Sequence, residues 1–276
     1  MQSEEIKPNE TTESNYRLEL KTVQSSIIRI LIEALKEILP DTNIEFNPTG
    51  MRIITMDLSH TVLVHLRLDG SQFEHYNCPE KIVVGVNMIN LFKLVKTMNN
   101  NETLTLYIMK SDPSRLGICI ENGEKNTVTN FKLNLLDLDE EEIQVPPAKF
   151  KSVISVPSTD FQKLCRDMSN LSDVMEIKST DTNLIFTCQG DFAQQETIMG
   201  ENSSNGISYI EKQQAYSVIQ GVFSLKHLGQ FTKCTNLCNT INMYLENDYP
   251  LIISYQVGSL GSIKFCLAPK KVATGI

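Results

Sequence analysis

The sequence lacks long apolar runs and the usual cysteine motifs. None of its apolar stretches approaches the roughly 18 residues of a membrane-spanning helix, and its N-terminus has no apolar segment of the secretory type. The seven cysteines are an odd number without a Cys-x-x-Cys pair, which disfavours a disulfide framework or a zinc ribbon. We therefore expect a protein without a membrane span that works in a reducing compartment.

Motifs of common enzymes are also missing. There is no glycine-rich phosphate loop of the P-loop or Rossmann type and no Gly-x-Ser-x-Gly. His60 and His65 have no carboxylate or cysteine nearby that completes a metal-ligand spacing. Asp57, Asp137 and Asp139 could serve a two-metal nuclease, but a turn residue and two linker charges are the better interpretation. We expect no catalytic residue, no metal and no cofactor.

The charge balance is acidic, with 25 Lys and Arg against 33 Asp and Glu and a net charge of −8. Taken alone, this balance disfavours binding to nucleic acid. The placement of the cations within the chain therefore decides the question.

An acidic segment near the middle of the chain divides it into two parts. Five carboxylates occupy residues 137–142, and Pro146 and Pro147 follow, so this segment cannot be a buried central element. The predicted organisation is a disordered acidic tail at 1–15, a module at 16–134, a connecting loop at 135–150, a second module at 151–271 and a short tail at 272–276.

Hydrophobic periodicity predicts four helices, and β-branched runs between turn signals predict short strands. Ser158 is the expected N-cap of the third helix. The predicted helices cover 24–39, 87–98, 158–169 and 224–234. The predicted strands cover 44–46, 50–56, 62–68, 81–86, 103–109, 116–121, 128–135, 152–156, 174–178, 184–189, 192–199, 240–245, 251–257 and 262–268.

The two halves repeat in register. Val86 precedes the second helix and Phe223 precedes the fourth, 137 positions later, and the strand segments 104–108 and 241–245 have the same offset. A register shared by helix, turn and strand is stronger evidence than shared composition. Each half is therefore predicted to be an α+β module with two helices packed on antiparallel sheet.

The cations concentrate on the predicted helices, while the acids lie in tails, turns and the connecting segment. For a single helix, solvated Lys and Arg residues are the ordinary interpretation. Because four helices share the pattern, they could form one positive stripe that contacts phosphates without reading sequence. No aromatic residues alternate with the lysines, so base stacking is not indicated.

Six segments in order make the chain resemble the eukaryotic-type sliding clamps, the proliferating cell nuclear antigen family. The likeness covers residues 17–270 and suggests a divergent or viral member. The segments are Val23-Gln-Ser-Ser with Glu33-Ala-Leu-Lys36, Met56-Asp-Leu-Ser-His60, Gly85-Val-Asn87, Leu135-Leu-Asp-Leu-Asp139, Cys165-Arg-Asp-Met-Ser169 and Leu267-Ala-Pro-Lys270.

The resemblance implies a DNA-clamp fold, with three identical subunits closed into a ring around double-stranded DNA. The helices would line the channel and the sheets would face solvent. The matching channel cations are Arg29, Lys36, Lys93, Lys96, Lys163, Arg166 and Lys233, and Lys226 joins them because it lies on the same helical face.

The resemblance further implies a pocket beneath the connecting loop that binds short peptides carrying Gln, an aliphatic residue and two aromatics. Cys266 stands where the family usually has Tyr in the pocket wall. Subunits would join edge to edge through the strands at 128–135 and 192–199, with Phe131, Phe192 and Ile198 at the interface. The matching pocket residues are Met56, His60, Ile143, Val145, Phe150, Pro250, Ala268 and Pro269.

The function expected from the sequence is that of a sliding clamp without enzymatic activity. It would raise polymerase processivity by topology and bind a polymerase, a clamp loader and other replication or repair proteins, in the nucleus or at a viral replication site. Three alternatives remain: a checkpoint-type subunit of a hetero-oligomeric ring, a monomeric processivity factor, and a metal-dependent nuclease.

Overall fold

The computed structural model of the chain describes residues 14–139, 143, 148–202, 206–212 and 217–270. The α-helices are α1 (Ser25–Ile38), α2 (Met88–Val95), α3 (Ser158–Ser169) and α4 (Leu225–Phe231). The strands of the first half are β1 (Tyr16–Thr22), β2 (Asp41–Asn47), β3 (Gly50–Met56), β4 (Val62–Asp69), β5 (His75–Asn77), β6 (Ile82–Asn87), β7 (Thr103–Met109), β8 (Asp112–Asn122) and β9 (Thr127–Asn134). Those of the second half are β10 (Ser152–Pro157), β11 (Val174–Ser179), β12 (Asn183–Gln189), β13 (Gln194–Gly200), β14 (Ser208–Glu211), β15 (Ile219–Ser224), β16 (Thr240–Leu245), β17 (Leu251–Val257) and β18 (Gly261–Leu267).

The described strands form three antiparallel sheets. One sheet of five strands has the order β5-β1-β7-β8-β9, and one of four strands has the order β13-β12-β11-β15. The third sheet has nine strands in the order β14-β10-β16-β17-β18-β4-β3-β2-β6, so it continues from one half of the chain into the other. The junction between the halves is the antiparallel pairing of β18 with β4 over seven residue pairs.

The internal repeat predicted from the sequence is present in the structure. β15 begins at Ile219, 137 positions after β6 begins at Ile82, and α4 follows α2 at the same interval. Each half contributes a group of five strands and a group of four strands, and the order within the two copies of each group is the same. The α+β fold of two similar modules is therefore confirmed.

Several local predictions differ from the structure. Ser158 is not the N-cap of α3; Pro157 holds that position, and the Ser158 hydroxyl instead donates to the Cys238 carbonyl at 2.6 Å, with the carbonyls of Thr235 and Asn239 also within 3.3 Å. The second and fourth helices are shorter than predicted, and a 3₁₀ segment at Thr232–Leu237 continues from α4. The sequence reasoning also missed β1, β5, β14 and β15. The repeat register alone would have predicted β15 as the counterpart of β6 in the second half.

The core lies between the helices and one face of the sheets, and one continuous cluster of buried side chains runs through both halves. α1 packs on α2, α3 packs on α4, and α1 also contacts α4 and the 3₁₀ segment of the other half. The Gln230 amide donates to the Glu37 carbonyl at 3.0 Å across this junction. The helices of both modules therefore form one layer, which covers the core-facing side of the sheets. The other side of the sheets faces solvent.

Phe265 is the central side chain of the module junction. It is fully buried in β18, stacks on Phe231 with ring centroids 4.5 Å apart, and meets the Tyr255 ring edge-on at 6.2 Å.

We expect Phe265→Ala to lower the free energy of unfolding by about 3–5 kcal/mol, because it leaves a cavity under the β18–β4 pairing. Urea denaturation measures the change, and Ser262→Ala on the solvent-facing side of the same strand is the control; equal stability of the two variants would contradict this role.

Candidate functional site

The cations predicted to form one surface lie on the helix layer. Six of the eight are exposed. On α2, Lys93 donates a hydrogen bond to the Asn90 side chain at 3.2 Å, and Lys96, the C-cap of the same helix, is exposed. Neither α2 nor α4 carries a carboxylate. The six exposed cations are Lys93, Lys96, Lys163, Arg166, Lys226 and Lys233.

Lys36 and Arg29, both on α1, are held differently from the other six. The Lys36 side chain is only 19% exposed; its ammonium lies over the Phe92 ring at 4.9 Å from the centroid and pairs with the Glu37 carboxylate. Arg29 is half-buried, and its Nε has no hydrogen-bond acceptor among the described residues. Sequence spacing placed both on the outer face of the helix but could not show that Lys36 bridges α1 and α2.

A row of apolar side chains crosses the solvent-facing side of the nine-stranded sheet. The strand registers pair Met56 with Leu63, Leu63 with Cys266, Cys266 with Ile252, and Ile252 with Tyr244. All five side chains are half-buried, so they form a shallow apolar floor that spans both modules. We call this row the groove. Of its members, the sequence analysis placed only Met56 in the pocket and Cys266 in its wall. The pairings of β4 with β18, of β18 with β17 and of β17 with β16, which sequence alone did not reveal, add the other three.

One end of the groove is bounded by the loop between β3 and β4. The Asp57 carboxylate accepts hydrogen bonds from the backbone N–H groups of Thr61 and Val62, both at 2.8 Å, and from Ser59. Partial burial opposes ionisation, but these hydrogen bonds prevail and lower the pKa of Asp57. His60, in this loop, has a left-handed backbone with φ of 51°.

The C-terminal segment lies against the same loop, since the Ala268 N–H donates to the Thr61 carbonyl at 3.1 Å. His60 and Ala268 are exposed and Pro269 is half-buried. The structure thus brings four predicted pocket residues, Met56, His60, Ala268 and Pro269, to one end of the groove.

Aromatic rings bound the other end. Phe150 contacts Tyr244 edge-on with centroids 5.7 Å apart and Tyr249 at 6.4 Å, and Pro250 follows Tyr249 as an exposed residue. Ile143 is half-buried, whereas Val145 lies outside the described residues. Burial raises the pKa of the Cys266 thiol on the floor to about 11, so this group is neutral and apolar in character at physiological pH.

Two strand edges expose large apolar side chains. β9 ends the five-stranded sheet and β13 ends the four-stranded sheet, and neither has a further strand beside it among the described residues. Val128 on β9 is 59% exposed, Ile198 on β13 is 57% exposed, and Phe192 just before β13 is 79% exposed. Phe131 on β9 is half-buried against the core. Unpaired apolar edges of this kind are expected to pair with another chain.

The metal-dependent nuclease considered from the sequence requires a cluster of ligands for a metal ion. The described residues contain no group of three His, Cys, Asp or Glu side chains placed to hold a metal ion. Asp57, one of the three carboxylates of the nuclease hypothesis, already accepts hydrogen bonds from its own loop. Among these residues, no helix has the length and apolar character needed to cross a membrane.

Two repeated α+β modules with cations on the helix layer and a groove on the opposite face define a DNA sliding clamp. Two family models cover nearly the whole chain: the N-terminal domain of proliferating cell nuclear antigen matches residues 17–142, and its C-terminal domain matches residues 144–270. The chain belongs to the proliferating cell nuclear antigen family.

Individual relatives agree with this assignment. The chain is 38% identical to a probable DNA polymerase sliding clamp 1 of Paramecium bursaria Chlorella virus 1, over 93% of this chain and 98% of that protein. It is 30% identical to the proliferating cell nuclear antigen of Chaetomium thermophilum, over 92% and 98%. Its fold matches the crystal structure of that antigen from Entamoeba histolytica with a TM-score of 0.84 at 25% identity, over 93% of this chain and all of that one. These matches favour the sliding clamp over the alternatives considered from the sequence.

The hydrogen bonds around Asp57 predict how the loop responds to pH. We expect Asp57→Asn to lower the free energy of unfolding by about 1–3 kcal/mol at pH 7, because two backbone N–H donors lose a charged acceptor. Since the pKa of Asp57 is lowered in the folded chain, its contribution is present above the ordinary pKa of the carboxyl and is lost as the pH falls through the folded pKa. Urea denaturation at pH 7 and at about pH 3 should therefore show a difference that shrinks at the lower pH. Asp191→Asn, in an exposed turn, is the control; a difference independent of pH would contradict the mechanism.

Proposed function

We propose that three copies of this chain close into a ring by pairing β9 of one copy with β13 of the next. The support comes from the repeat. β9 is the counterpart of β18 and β13 is the counterpart of β4, and within one chain β18 pairs with β4. The same pairing between copies would join the five-stranded and four-stranded sheets into a nine-stranded sheet with the order already present inside the chain.

The repeat also yields the residue register of this interface. Ser262 pairs with Arg67 inside the chain, and the corresponding residues are Val128 on β9 and Ile198 on β13. Two apolar side chains that are exposed in the single chain would therefore lie directly opposite each other. Cross-strand apolar pairs stabilise antiparallel sheets, typically by about 0.2–1 kcal/mol each beyond the backbone hydrogen bonds.

In such a ring the helix layers of the three copies would face the channel, and duplex DNA would pass among their cations. The proposed contacts are electrostatic and independent of sequence, because Lys and Arg side chains address phosphates rather than base edges. A ring that encloses DNA cannot dissociate sideways, so weak contacts suffice for retention and still permit sliding. The channel residues proposed are Arg29, Lys36, Lys93, Lys96, Lys163, Arg166, Lys226 and Lys233, and Lys36 also serves the packing of α1 on α2 described above.

The groove is the proposed binding site for short peptides of a polymerase, a clamp loader and other replication or repair proteins. Its apolar floor and aromatic end suit an aliphatic residue and aromatic rings of such a peptide. Leu63, Ile252, Tyr244 and Cys266 join the predicted pocket residues as its floor. The proposed module boundaries remain 16–134 and 151–271, the proposed role is not enzymatic, and the proposed site of action is the nucleus or a viral replication site.

The proposed interface predicts the oligomeric state. We expect the chain to have the native mass of three chains, and Ile198→Asp to shift it to a single chain, because a carboxylate would be buried opposite Val128. Native mass spectrometry at fixed protein concentration measures both. Ile210→Asp is the matched control, since Ile210 is also 57% exposed but lies on β14, outside the proposed interface. A trimer that survives Ile198→Asp, or a wild-type monomer, would refute the proposed pairing.

The proposed channel predicts the effect of removing cations from α2. We expect Lys93→Ala combined with Lys96→Ala to reduce retention on nicked circular duplex by about threefold to tenfold while the trimer persists, because phosphate contacts are lost without change to the subunit edges. Retention is measured by gel filtration at two salt concentrations. The control combines Lys178→Ala on β11 with Lys212→Ala just after β14, neither of which belongs to a helix. Loss of the trimer in the α2 variant would show that these lysines serve assembly instead.

A further inference from the structure

Cations gather on the solvent-facing side of the nine-stranded sheet, immediately beside the groove. The register that forms the groove continues along the strands: His65 pairs with Lys264 two residues from Leu63 and Cys266, and Arg52 pairs with Arg67 two residues further on. At about 3.4 Å per residue, these pairs lie roughly 7 Å and 14 Å from the groove along β4. We call His65, Arg67 and Lys264 the basic shelf.

The shelf is not neutralised by the carboxylates near it. Glu45 pairs with both Arg52, at 2.7 Å, and Lys81, at 3.2 Å, so one carboxylate is shared by two cations. Asp69, beyond Arg67, accepts its hydrogen bonds from Ser71; these bonds lower its pKa, and the charge of Arg67 lowers it further without an ion pair between the two side chains. Neither Arg67 nor Lys264 forms an ion pair within 4 Å with any carboxylate in the described ranges.

The groups of the shelf share one electrostatic environment. Burial lowers the pKa of His65, and the positive charges of Lys264, Arg52 and Arg67 lower it further. The Lys264 ammonium also lies over the Tyr244 ring at 5.7 Å from its centroid, so it touches the floor of the groove itself. A segment bound in the groove and leaving across β4 would pass directly over these cations.

We infer that the peptides bound by this groove carry acidic or phosphorylated residues next to their apolar anchors, and that Arg67 and Lys264 bind those residues. The inference rests on the proposed peptide groove and adds the basic shelf to it as a second part of the binding site. Charge complementarity selects the occupant: the unpaired cations form a continuous surface with the apolar floor, and a carboxylate or phosphate is the group that they hold best. Binding would gain both affinity and association rate from this attraction, and the gain would decline with salt.

The test compares three labelled peptides with the same anchors, Gln, an aliphatic residue and two aromatics, and with flanks of Asp-Glu, Ser-Gly or Lys-Arg at both ends. Fluorescence anisotropy with the intact clamp measures their dissociation constants at low and moderate salt. We expect the acidic peptide to bind about threefold to tenfold more tightly than the neutral one at low salt, and the basic peptide to bind least tightly. The difference should shrink as salt is raised.

Variants then locate the effect. Arg67→Gln, which leaves the groove floor intact, should reduce the acidic preference while the neutral peptide binds as before. Adding Lys264→Gln, which also removes a contact to the floor, should remove the rest of the preference for the acidic over the neutral peptide. Lys125→Gln combined with Lys178→Gln removes the same charge elsewhere and should retain the preference. Equal binding of all three flanks, or an acidic preference that persists in the Arg67 and Lys264 variant, overturns the inference and leaves the groove standing. If no peptide binds, or if binding is indifferent to Met56→Ala and Leu63→Ala, the proposed groove falls and the inference falls with it.

Discussion

The pairing of β18 with β4 is the contact on which the rest of the structure depends. It joins the two modules into one nine-stranded sheet, and it brings Cys266 beside Leu63 so that an apolar groove crosses the module boundary. It also leaves two edges, β9 and β13, that have the strand order needed to repeat the same pairing with another copy. One antiparallel ladder therefore explains the packing within a chain, the position of the groove and the proposed assembly.

A second constraint is the separation of charge in a protein whose net charge is −8. The described helices concentrate exposed cations on one layer, while the connecting segment and the tail contain most of the clustered acids. A strongly basic ring would bind duplex tightly and resist movement along it. In the proposed ring, an acidic protein with a modest cationic lining would keep each phosphate contact weak and exchangeable, which would suit retention on DNA together with movement along it. Lys36, committed to Phe92 and Glu37, shows that even some of these cations also serve packing.

Much of this could be predicted from the sequence, for physical reasons that differ by element. The helices and the longer strands follow apolar periodicity, and the offset of 137 positions revealed the repeat because packing constrains helix, turn and strand together. The strands β14 and β1 were missed, since β14 has only four residues and β1 directly follows an acidic tail. The groove floor and the basic shelf could not be predicted from spacing, because Leu63, Arg67, Ile252 and Lys264 meet only through strand registers set by long-range pairing. The roles of individual site residues remain predictions.

The two kinds of seam in the proposed ring differ in composition. Inside the chain, β18 and β4 bury Ile263 against Leu66 and Phe265 against Val64 on the core side. In the proposed ring, the same positions between copies carry Thr129 against Thr197 and Phe131 against Gln195. Less apolar surface would therefore be buried between copies than at the module junction. Under mechanical load the proposed ring would therefore open at an interface between copies while each module junction stays intact. A protein that loads the ring onto DNA would have three equivalent interfaces and would need to open only one of them.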